Sequence, residues 1–399
     1  MKKIKWFEIL TFVFVLDLAL DPRNQLFGMK MPLFSLYLIL MMIIHKPSPK
    51  FLMTVVALII IQLLSYASGR LFDIQPFDEG DAFSFFFVYA GFSLLLWYKK
   101  LNFLPYVDIA SIIISIFCVV GFVSLLSYPE LQAVIKDFVD EHGEFVLISH
   151  REFLGVRFEQ FLYVSIPVVL IPASVRLYRF WTEKKGKLFN IIFALAALFS
   201  LFAGATRTLF MCIFLIFFAN YVYTHRHKKI ARFLIVTISP VILFFAASLV
   251  IAALTEKEQS NEEKYGHMRS YAVFYENNPG TLLFGAGAGT GFYSEGSHAI
   301  IPLAEWTYME LIRFYGLIGG GFIIVFYFAP LFILYRRRKV LKLWFPLFIG
   351  YASYLLLSGS NPFLINSTGV LLVLLIYHEA YRTETEEQLY QERTKVLTV

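Results

Sequence analysis

The sequence has few cysteines and little charge. Its 399 residues include two cysteines, Cys118 and Cys212, and charged residues make up 16% of the chain against 58% for hydrophobic residues. Each cysteine lies inside an apolar run, which excludes a disulfide framework or a cysteine metal site and predicts two buried thiols. So few polar residues could not cover the apolar surface of a water-soluble protein of this size.

Several other features are absent. No small-residue cleavage site follows the first apolar run, so we expect a retained first helix instead of a signal peptide. The basic residues form short clusters between apolar runs, which favours a membrane topology signal over nucleic-acid binding. The acidic residues Asp78, Glu79 and Asp81 lack regular ligand spacing. A solvated loop is therefore favoured there over a metal site, and no cofactor is expected.

The apolar runs themselves predict the fold class. Lipid offers no partners to backbone N–H and C=O groups, so runs of this length must form helices, and crossing about 30 Å of hydrocarbon takes roughly 20 residues. The candidate spans are residues 5–21, 30–44, 51–68, 83–97, 106–127, 159–178, 188–205, 208–224, 232–254, 306–335, 343–358 and 366–381. The prediction is an all-α polytopic transmembrane bundle of about 12 spans.

Lysine and arginine gather in every second loop, as expected for cytoplasmic loops. The basic clusters lie at residues 2–5, 46–50, 99–100, 176–187, 226–232 and 336–342. Both termini are therefore predicted to be cytoplasmic, with residues 1–381 forming one transmembrane domain and residues 382–399 a cytoplasmic polar tail.

Two outer loops are long, residues 128–158 and 255–305, and long loops usually carry binding or catalytic groups. We expect short helical elements in the second one. Its glycine run from Gly285 to Gly291 lacks a GK[ST] ending and follows no predicted strand. A flexible or tightly turned loop is therefore favoured over a phosphate cradle.

Arginine predominates over lysine on the predicted outer face, and its planar guanidinium matches phosphate oxygens, which suggests an anionic ligand such as diphosphate. Arg207, in the turn GATRT between two apolar runs, and Arg157, just before a span, are candidates. The alternative for both is an arginine that snorkels to the membrane interface. Arg313 lies three residues after Glu310, so a structural ion pair is its leading explanation.

His298 and Glu305 precede a predicted span, where partial burial can tune either into a general base. The alternative for His298 is a solvated loop histidine. Asp17 and Asp108 lie inside apolar runs, where acids are functional suspects, although neither has an identifiable partner. Helix capping or water exposure explains them equally well.

Three segments, GATRT, NPGTLLFGAGAGTGF after Arg269, and EWTYMELIRFYGLIGG, together resemble motifs of the O-antigen polymerase and O-antigen ligase superfamily of bacterial membrane glycosyltransferases. GATRT is similar to its Arg-Thr turn between two middle spans, and Arg269 with the later NPGTLLFGAGAGTGF is similar to its Arg, aromatic, NP and GxGxG stretch. EWTYMELIRFYGLIGG resembles the segment in which a polar residue begins a helix and a glycine pair follows. Glu305 at that polar position resembles polymerases, because ligases commonly have histidine there.

The resemblance implies a metal-independent polymerase in the bacterial cytoplasmic (inner) membrane. It would join oligosaccharide repeat units linked to undecaprenyl diphosphate, on the outer face, with membrane lipids and a chain-length regulator as further partners. Arg207, Arg269 and Arg157 would bind the diphosphate, and His298 or Glu305 would activate the acceptor. The alternatives are a ligase that moves finished glycan to a lipid or protein, and a transporter or flippase for a lipid-linked anion.

Overall fold

The computed structural model is mostly helical, with two small antiparallel hairpins. It describes residues 2–21, 27–44, 49–74, 103–128, 130–142, 145–153, 156–228, 237, 258–359, 361 and 363–380. The predicted spans 83–97 and 232–254, the tail 382–399 and the acidic residues Asp78, Glu79 and Asp81 lie outside the described residues.

The elements before the second long loop begin with apolar helices. They are α1 Lys2–Leu20, α2 Lys30–Ile44, α3 Pro49–Leu71, α4 Leu104–Ser127, α5 Leu131–His142, β1 Val146–Phe153, β2 Val156–Tyr163, a 3₁₀ turn Ile166–Val169, α6 Leu170–Thr182, α7 Lys187–Ala203 and α8 Arg207–His225. The remaining elements are α9 Glu258–Asn277, α10 Thr281–Phe284, β3 Phe292–Ser294, β4 Ala299–Ile301, α11 Thr307–Arg336, α12 Trp344–Gly359 and α13 Ser367–Ala380.

Four described helices are long and apolar enough to cross a membrane. They are α4, α8, α11 and the part of α3 from Leu52 to Leu71. The helices α7, α12 and α13 are apolar but shorter. These helices are consistent with a membrane protein and with the predicted helical class. The total of about 12 spans stays a prediction.

The predicted span 159–178 is wrong in its first half. Residues up to Tyr163 form β2, which pairs with β1 in an antiparallel hairpin with Val146 opposite Tyr163. The helix α6 begins only at Leu170, after a 3₁₀ turn that contains Pro167. An apolar run has the same composition in a buried strand and in a helix, so hydropathy alone extended the helix too far.

The β1–β2 hairpin lies at one end of the helical bundle. Gln160 of β2 donates from Nε2 to the carbonyl oxygen of Gly204 in the α7–α8 turn at 2.7 Å, and the Tyr163 hydroxyl donates to the carbonyl oxygen of Leu20. We call the end that carries this hairpin and the 204–206 turn the loop end. At the opposite end, Tyr223 of α8 stacks on Phe345 of α12 with ring centroids 3.8 Å apart.

The centre of the bundle is built around α6, α8 and α12. Ser174 donates to the carbonyl oxygen of Pro346 at 2.7 Å and accepts from Asn220 at 2.9 Å, so one hydroxyl joins all three helices. Both cysteines are free and buried, which confirms that prediction. The Cys212 thiol faces the carbonyl oxygen of Ser353 at 3.3 Å, which aligns the loop-end half of α8 with that of α12.

Asp108, for which no partner was identified in the sequence, is paired with Arg176. The Arg176 guanidinium donates from Nε and Nη2 to the two oxygens of Asp108 at 2.8 and 2.6 Å. The same guanidinium lies over the rings of Phe189 and Phe193 at 4.8 and 5.2 Å. This bidentate ion pair joins α4 to α6. It gives Asp108 a structural role, which accounts for an acidic residue inside an apolar run.

Replacing Asp108 by Asn is expected to lower the free energy of unfolding by about 2–3 kcal/mol, because the buried guanidinium of Arg176 loses its counter-charge. This is below the usual cost of about 3–5 kcal/mol for a fully buried pair, since 23% of the Asp108 side chain is exposed. The measurement is the unfolding transition of the purified protein in mixed micelles. Glu183 is the control, since its contact with Arg179 is long, at 3.6 Å, and exposed. Glu183→Gln is expected to change stability by less than about 0.5 kcal/mol. Equal losses for both variants would contradict a structural role for the pair.

The long helix α11 is broken. Gly316 has φ 68° and ψ −179°, which are not helical values. A Cβ placed on Gly320 would lie 2.6 Å from the carbonyl oxygen of Leu311, nine residues earlier, whereas a straight helix would separate these residues by about 13 Å. Residues 307–315 therefore fold back against residues 317–336. The predicted span 306–335 is thus two helices.

Candidate functional site

The predicted outer loop 255–305 is largely ordered, and it folds onto the start of α11. The helix α9 packs against β3, and β3 pairs with β4, with Phe292 opposite Ile301. Eight side chains form a small separate core here, which we call the aromatic cap. Its buried members are Tyr271, Phe292 and Ala304, and its partly buried members are Phe274, Tyr275, Ile301, Trp306 and Met309.

Beneath the aromatic cap lies a fully buried ion pair. Glu310 and Arg313 both have no exposed surface, and Arg313 donates from Nη2 and Nε to one oxygen of Glu310 at 2.6 and 3.1 Å. The other oxygen of Glu310 accepts from the Tyr271 hydroxyl at 2.5 Å and from the N–H of Ala304 at 3.2 Å. This confirms the predicted structural ion pair at i, i+3.

The remaining donors of Arg313 bind the loop backbone. Nη1 donates to the carbonyl oxygen and the hydroxyl of Thr290 at 2.7 and 3.1 Å, and Nη2 donates to the carbonyl oxygen of Pro302 at 2.9 Å. The guanidinium also lies 4.5 Å from the ring centroids of Phe292 and Phe314. Arg313 is therefore a structural anchor whose charge is enclosed by protein.

Burial and the charge of Glu310 raise the pKa values of two tyrosines in the aromatic cap. Burial raises the pKa of Tyr271 far above its usual value, and the neighbouring Glu310 carboxylate raises it further. Burial likewise raises the pKa of Tyr275 to about 12, with Arg313 opposing this shift and Glu310 adding to it. Both hydroxyls therefore stay protonated at neutral pH, and that of Tyr271 donates to Glu310.

The glycine run is a tight turn, which is one of the two forms that the sequence predicted. Gly285, Gly287 and Gly289 all have positive φ, between 74° and 96°. The backbone N–H of Ala286 donates to the carbonyl oxygen of Arg313 at 2.8 Å, and that of Gly287 donates to the carbonyl oxygen of Phe314 at 3.1 Å. Since these N–H groups already have protein partners, they do not cradle a phosphate.

The same turn is held from the other side by α3. The Ser65 hydroxyl donates to the carbonyl oxygen of Phe314 at 2.5 Å, and a Cβ on Gly69 would lie 2.1 Å from the carbonyl oxygen of Ala286. The backbone of the loop is thus pressed between α3 and the break in α11. These contacts fix the loop to the helical bundle.

Arg269 and His298 lie on one ordered unit. The Ser294 hydroxyl is 2.5 Å from Nδ1 of the buried His267 and accepts from the N–H of Ser297 at 3.3 Å, which fixes the β3–β4 turn on α9. His298 ends this turn, exposed and with φ 50°. Arg269 is exposed on α9, with Nε 3.5 Å from Glu295 in the same turn.

Glu305 is exposed and lies two residues before α11 begins. Its neighbours in the chain, the buried Ala304 and the partly buried Trp306, both belong to the aromatic cap. Its carbonyl oxygen accepts from the N–H of Thr307 at 3.0 Å. The Thr307 hydroxyl in turn donates to the carbonyl oxygen of Asn361 at 2.7 Å, just beyond the end of α12. Glu305 is therefore held at the junction of the cap with the loop-end side of α12.

Arg207 is the first residue of α8 and is half-buried. The preceding Thr206 caps the helix by accepting from the N–H of Leu209 at 3.2 Å. Because α8 and α12 run antiparallel with Cys212 beside Ser353, Arg207 lies at the level of the loop-end turn of α12. The helix α12 thus contacts both the helix that begins at Arg207 and the start of α11.

Arg157 lies on β2, opposite Glu152 in the hairpin register, and its side chain falls outside the described residues. All five predicted site residues therefore belong to elements at the loop end. The structure groups Arg269 with His298 on one unit and Glu305 beside it, whereas Arg207 and Arg157 belong to the hairpin side of the bundle.

Other residues of the site were missed in the sequence. Tyr271 and Tyr275 lie one turn apart on α9, and they reach Glu310 only because α9 folds across the β3–β4 hairpin. Trp306 is four residues before Glu310, and the N–H of Glu310 donates to its carbonyl oxygen at 2.9 Å. A tryptophan directly after Glu305 was the one available hint. Within the part of the chain that the structure describes, no three His, Cys, Asp or Glu side chains form a metal-binding group. No protein-family model and no curated protein matches this chain.

Proposed function

We propose that this protein is a bacterial membrane glycosyltransferase that polymerises oligosaccharide repeat units linked to undecaprenyl diphosphate. One observation carries the proposal: Arg269, His298 and Glu305 are exposed on a unit anchored to the break of α11, at the same end as Arg207. Cations for a diphosphate and a base for a hydroxyl are the two needs of this reaction.

The proposal places the loop end on the outer face of the cytoplasmic membrane, with about 12 spans and both termini inside. The distribution of charge supports this orientation. Exposed basic residues follow α8 and α11 at the end opposite the aromatic cap, at Arg226 and Arg338, as expected for cytoplasmic loops. The lipid chain of the substrate would lie along the apolar helices.

In the proposed reaction, a hydroxyl oxygen of one repeat unit forms a bond to the anomeric carbon of another. The bond from that carbon to the diphosphate oxygen breaks, and the diphosphate leaves with the bonding electrons. The hydroxyl proton passes to His298 or Glu305. Arg207 and Arg269, with Arg157 as a third contact, stabilise the negative charge that develops on the diphosphate. No cofactor takes part.

A transporter is the second candidate, and the break in α11 is the observation in its favour, because broken helices often bind ions in transporters. Here two of the carbonyl oxygens freed at the break are already bonded. The carbonyl oxygens of Arg313 and Phe314 accept from Ala286, Gly287 and Ser65. With these partners in place, the break serves as an anchor for the loop, which favours the enzyme.

The test of the proposed function is single replacement of four residues in a strain that lacks its own polymerase. We expect Arg207→Ala and Arg269→Ala each to lower the yield of long polymer by about a hundredfold, as for the loss of one charge-stabilising donor. Of His298→Ala and Glu305→Gln, the variant that removes the base is expected to lower the yield at least as much. The readout is the length distribution of the glycan on a gel, at matched protein levels.

Arg338→Ala is the matched control, because Arg338 is an exposed arginine at the opposite end of the bundle. It is expected to leave the polymer unchanged. Long polymer from all four site variants would refute the site. The purified protein, supplied only with lipid-linked repeat units, separates the functions: a polymerase makes a ladder, a ligase does not, and a flippase moves labelled lipid across vesicles without lengthening the glycan.

A further inference from the structure

The helix α5 is amphipathic, and its apolar side is only half covered. At 3.6 residues per turn, Val134, Phe138, Leu131 and Ile135 fall within one arc of about 100° around the helix. Ile135, at one edge of this arc, packs on the hydrophobic core of the bundle. Val134 and Phe138, towards the other edge, keep 62% and 49% of their surfaces exposed. We call these two side chains the open face of α5.

The open face lies beside α4 and not beyond its end. Tyr163, at the base of the β1–β2 hairpin, has its ring 5.4 Å from that of Phe117, which lies ten residues, or about 15 Å, before the end of α4. The N–H of Val164 donates to the carbonyl oxygen of Phe145 at 3.0 Å, so Phe145 belongs to the same base. The ring of Phe138 in turn lies 6.0 Å from that of Phe145. The helix α5 therefore folds back beside the loop-end half of α4.

The exposed side of α4 identifies the surroundings at this level. This helix is long and apolar enough to cross a membrane, and exposed apolar side chains recur along it at helical spacing, as expected for a side that faces lipid. They are Ile109, Ile113, Ile116, Val120, Val123 and Leu126. Tyr128, which follows α4, is exposed too, and tyrosine is enriched at membrane–water interfaces. The N–H of Leu131 donates to the carbonyl oxygen of Tyr128 at 3.0 Å, so α5 begins at this boundary.

We propose that α5 is an interfacial helix whose open face inserts among the lipids of the leaflet at the loop end. A helix with one apolar side and low overall hydrophobicity is typical of helices that lie in the interface, with the apolar side about 5–10 Å into the boundary between headgroups and acyl chains. The sequence of α5 has three acidic residues and one lysine, so its charge does not attract anionic headgroups. The contact is therefore with the apolar part of the lipid.

This inference needs a chain that spans a membrane, but it does not depend on the proposed polymerase activity. Its consequence for the fold is an anchor, because α5 contacts β1. Insertion of α5 would hold the β1–β2 hairpin, and Arg157 on β2, at the membrane surface.

The test is electron paramagnetic resonance of spin labels at Val134→Cys and Phe138→Cys, in the whole chain in lipid nanodiscs. The readout is the ratio of label collisions with oxygen, which concentrates in lipid, to collisions with a water-soluble nickel chelate. We expect both labels to lie about 5–10 Å below the lipid phosphates, at the same depth in neutral and in anionic lipid. Both native cysteines are buried, so the unmodified protein gives the labelling background.

Asp137→Cys is the matched control, because Asp137 is exposed on the same helix, about 100° around it from Phe138. Its label is expected to collide mainly with the chelate. Val120→Cys, on the exposed side of α4, is the reference for a label in lipid. Labels at Val134 and Phe138 that meet the chelate as often as the label at Asp137 would overturn the inference. Shielding of both labels from both probes would also overturn it, because protein, such as a second copy of the chain, would then cover the open face.

The outcomes also separate this inference from the proposed function. Labels in lipid, in a protein that makes no polymer from lipid-linked repeat units, would keep the interfacial helix and refute the polymerase. Labels in water, in a protein that makes polymer, would keep the polymerase and refute the interfacial helix.

Discussion

Glu310→Gln is expected to lower the free energy of unfolding by about 3–5 kcal/mol, the usual cost of removing one partner from a buried ion pair. The glutamate and Arg313 are both completely buried, so the guanidinium in the variant would have no counter-charge and no access to water. The loss should also loosen the segment around Thr290 and Pro302, since Arg313 holds their carbonyl oxygens.

The measurement combines unfolding in mixed micelles with limited proteolysis of residues 286–305. Glu305→Gln is the matched control, because it removes the same charge five residues earlier from an exposed side chain. It is expected to change stability by less than about 0.5 kcal/mol. The two variants thus compare the loss of a buried carboxylate with the loss of an exposed one. Equal stability of Glu310→Gln and the unmodified protein would show that the pair is not the anchor of the loop.

How far the sequence predicted this anchor depends on the distance between its parts. Glu310 and Arg313 share one face of one helix, so their pairing followed from spacing alone. The other partners, Tyr271, Thr290 and Pro302, come from segments whose positions depend on how α9 and the glycine turn pack. The spacing of residues along the sequence does not predict contacts between such distant segments.

The same reasoning explains the pair Asp108 and Arg176. Asp108 was interpreted from its position in an apolar run, and Arg176 from its position in a basic cluster. The two residues are 68 positions apart in the sequence, so the spacing did not indicate that they pair. Helices such as α2 and α7 were predicted to within two residues because apolar runs have sharp ends in this chain. The β1–β2 hairpin was missed because hydropathy does not distinguish a strand that packs on α4 from the start of a helix.

Gly316→Ala is expected to be among the most damaging single-methyl changes in the described chain. Gly316 has φ 68° and ψ −179°, a region that glycine alone readily adopts, which costs other residues about 1–3 kcal/mol. A Cβ there would also lie 2.2 Å from the carbonyl oxygen of Leu283, so the loop or the helix must move. The expected loss exceeds about 3 kcal/mol, since strain and steric overlap act together.

Gly321→Ala is the matched control, five residues later in the same helix. A Cβ on Gly321 would have no atom within 4 Å, and alanine is the better helix former by about 1 kcal/mol, so this variant should be equally or more stable. The two substitutions add the same methyl group to one helix and are expected to change stability in opposite directions. Their yields and unfolding transitions in detergent give the comparison. Loss of stability in both variants would mean that α11 does not tolerate an added methyl group at either position. Loss in Gly316→Ala alone would show that the break in α11, and with it the anchoring of the loop, depends on the backbone conformation of Gly316.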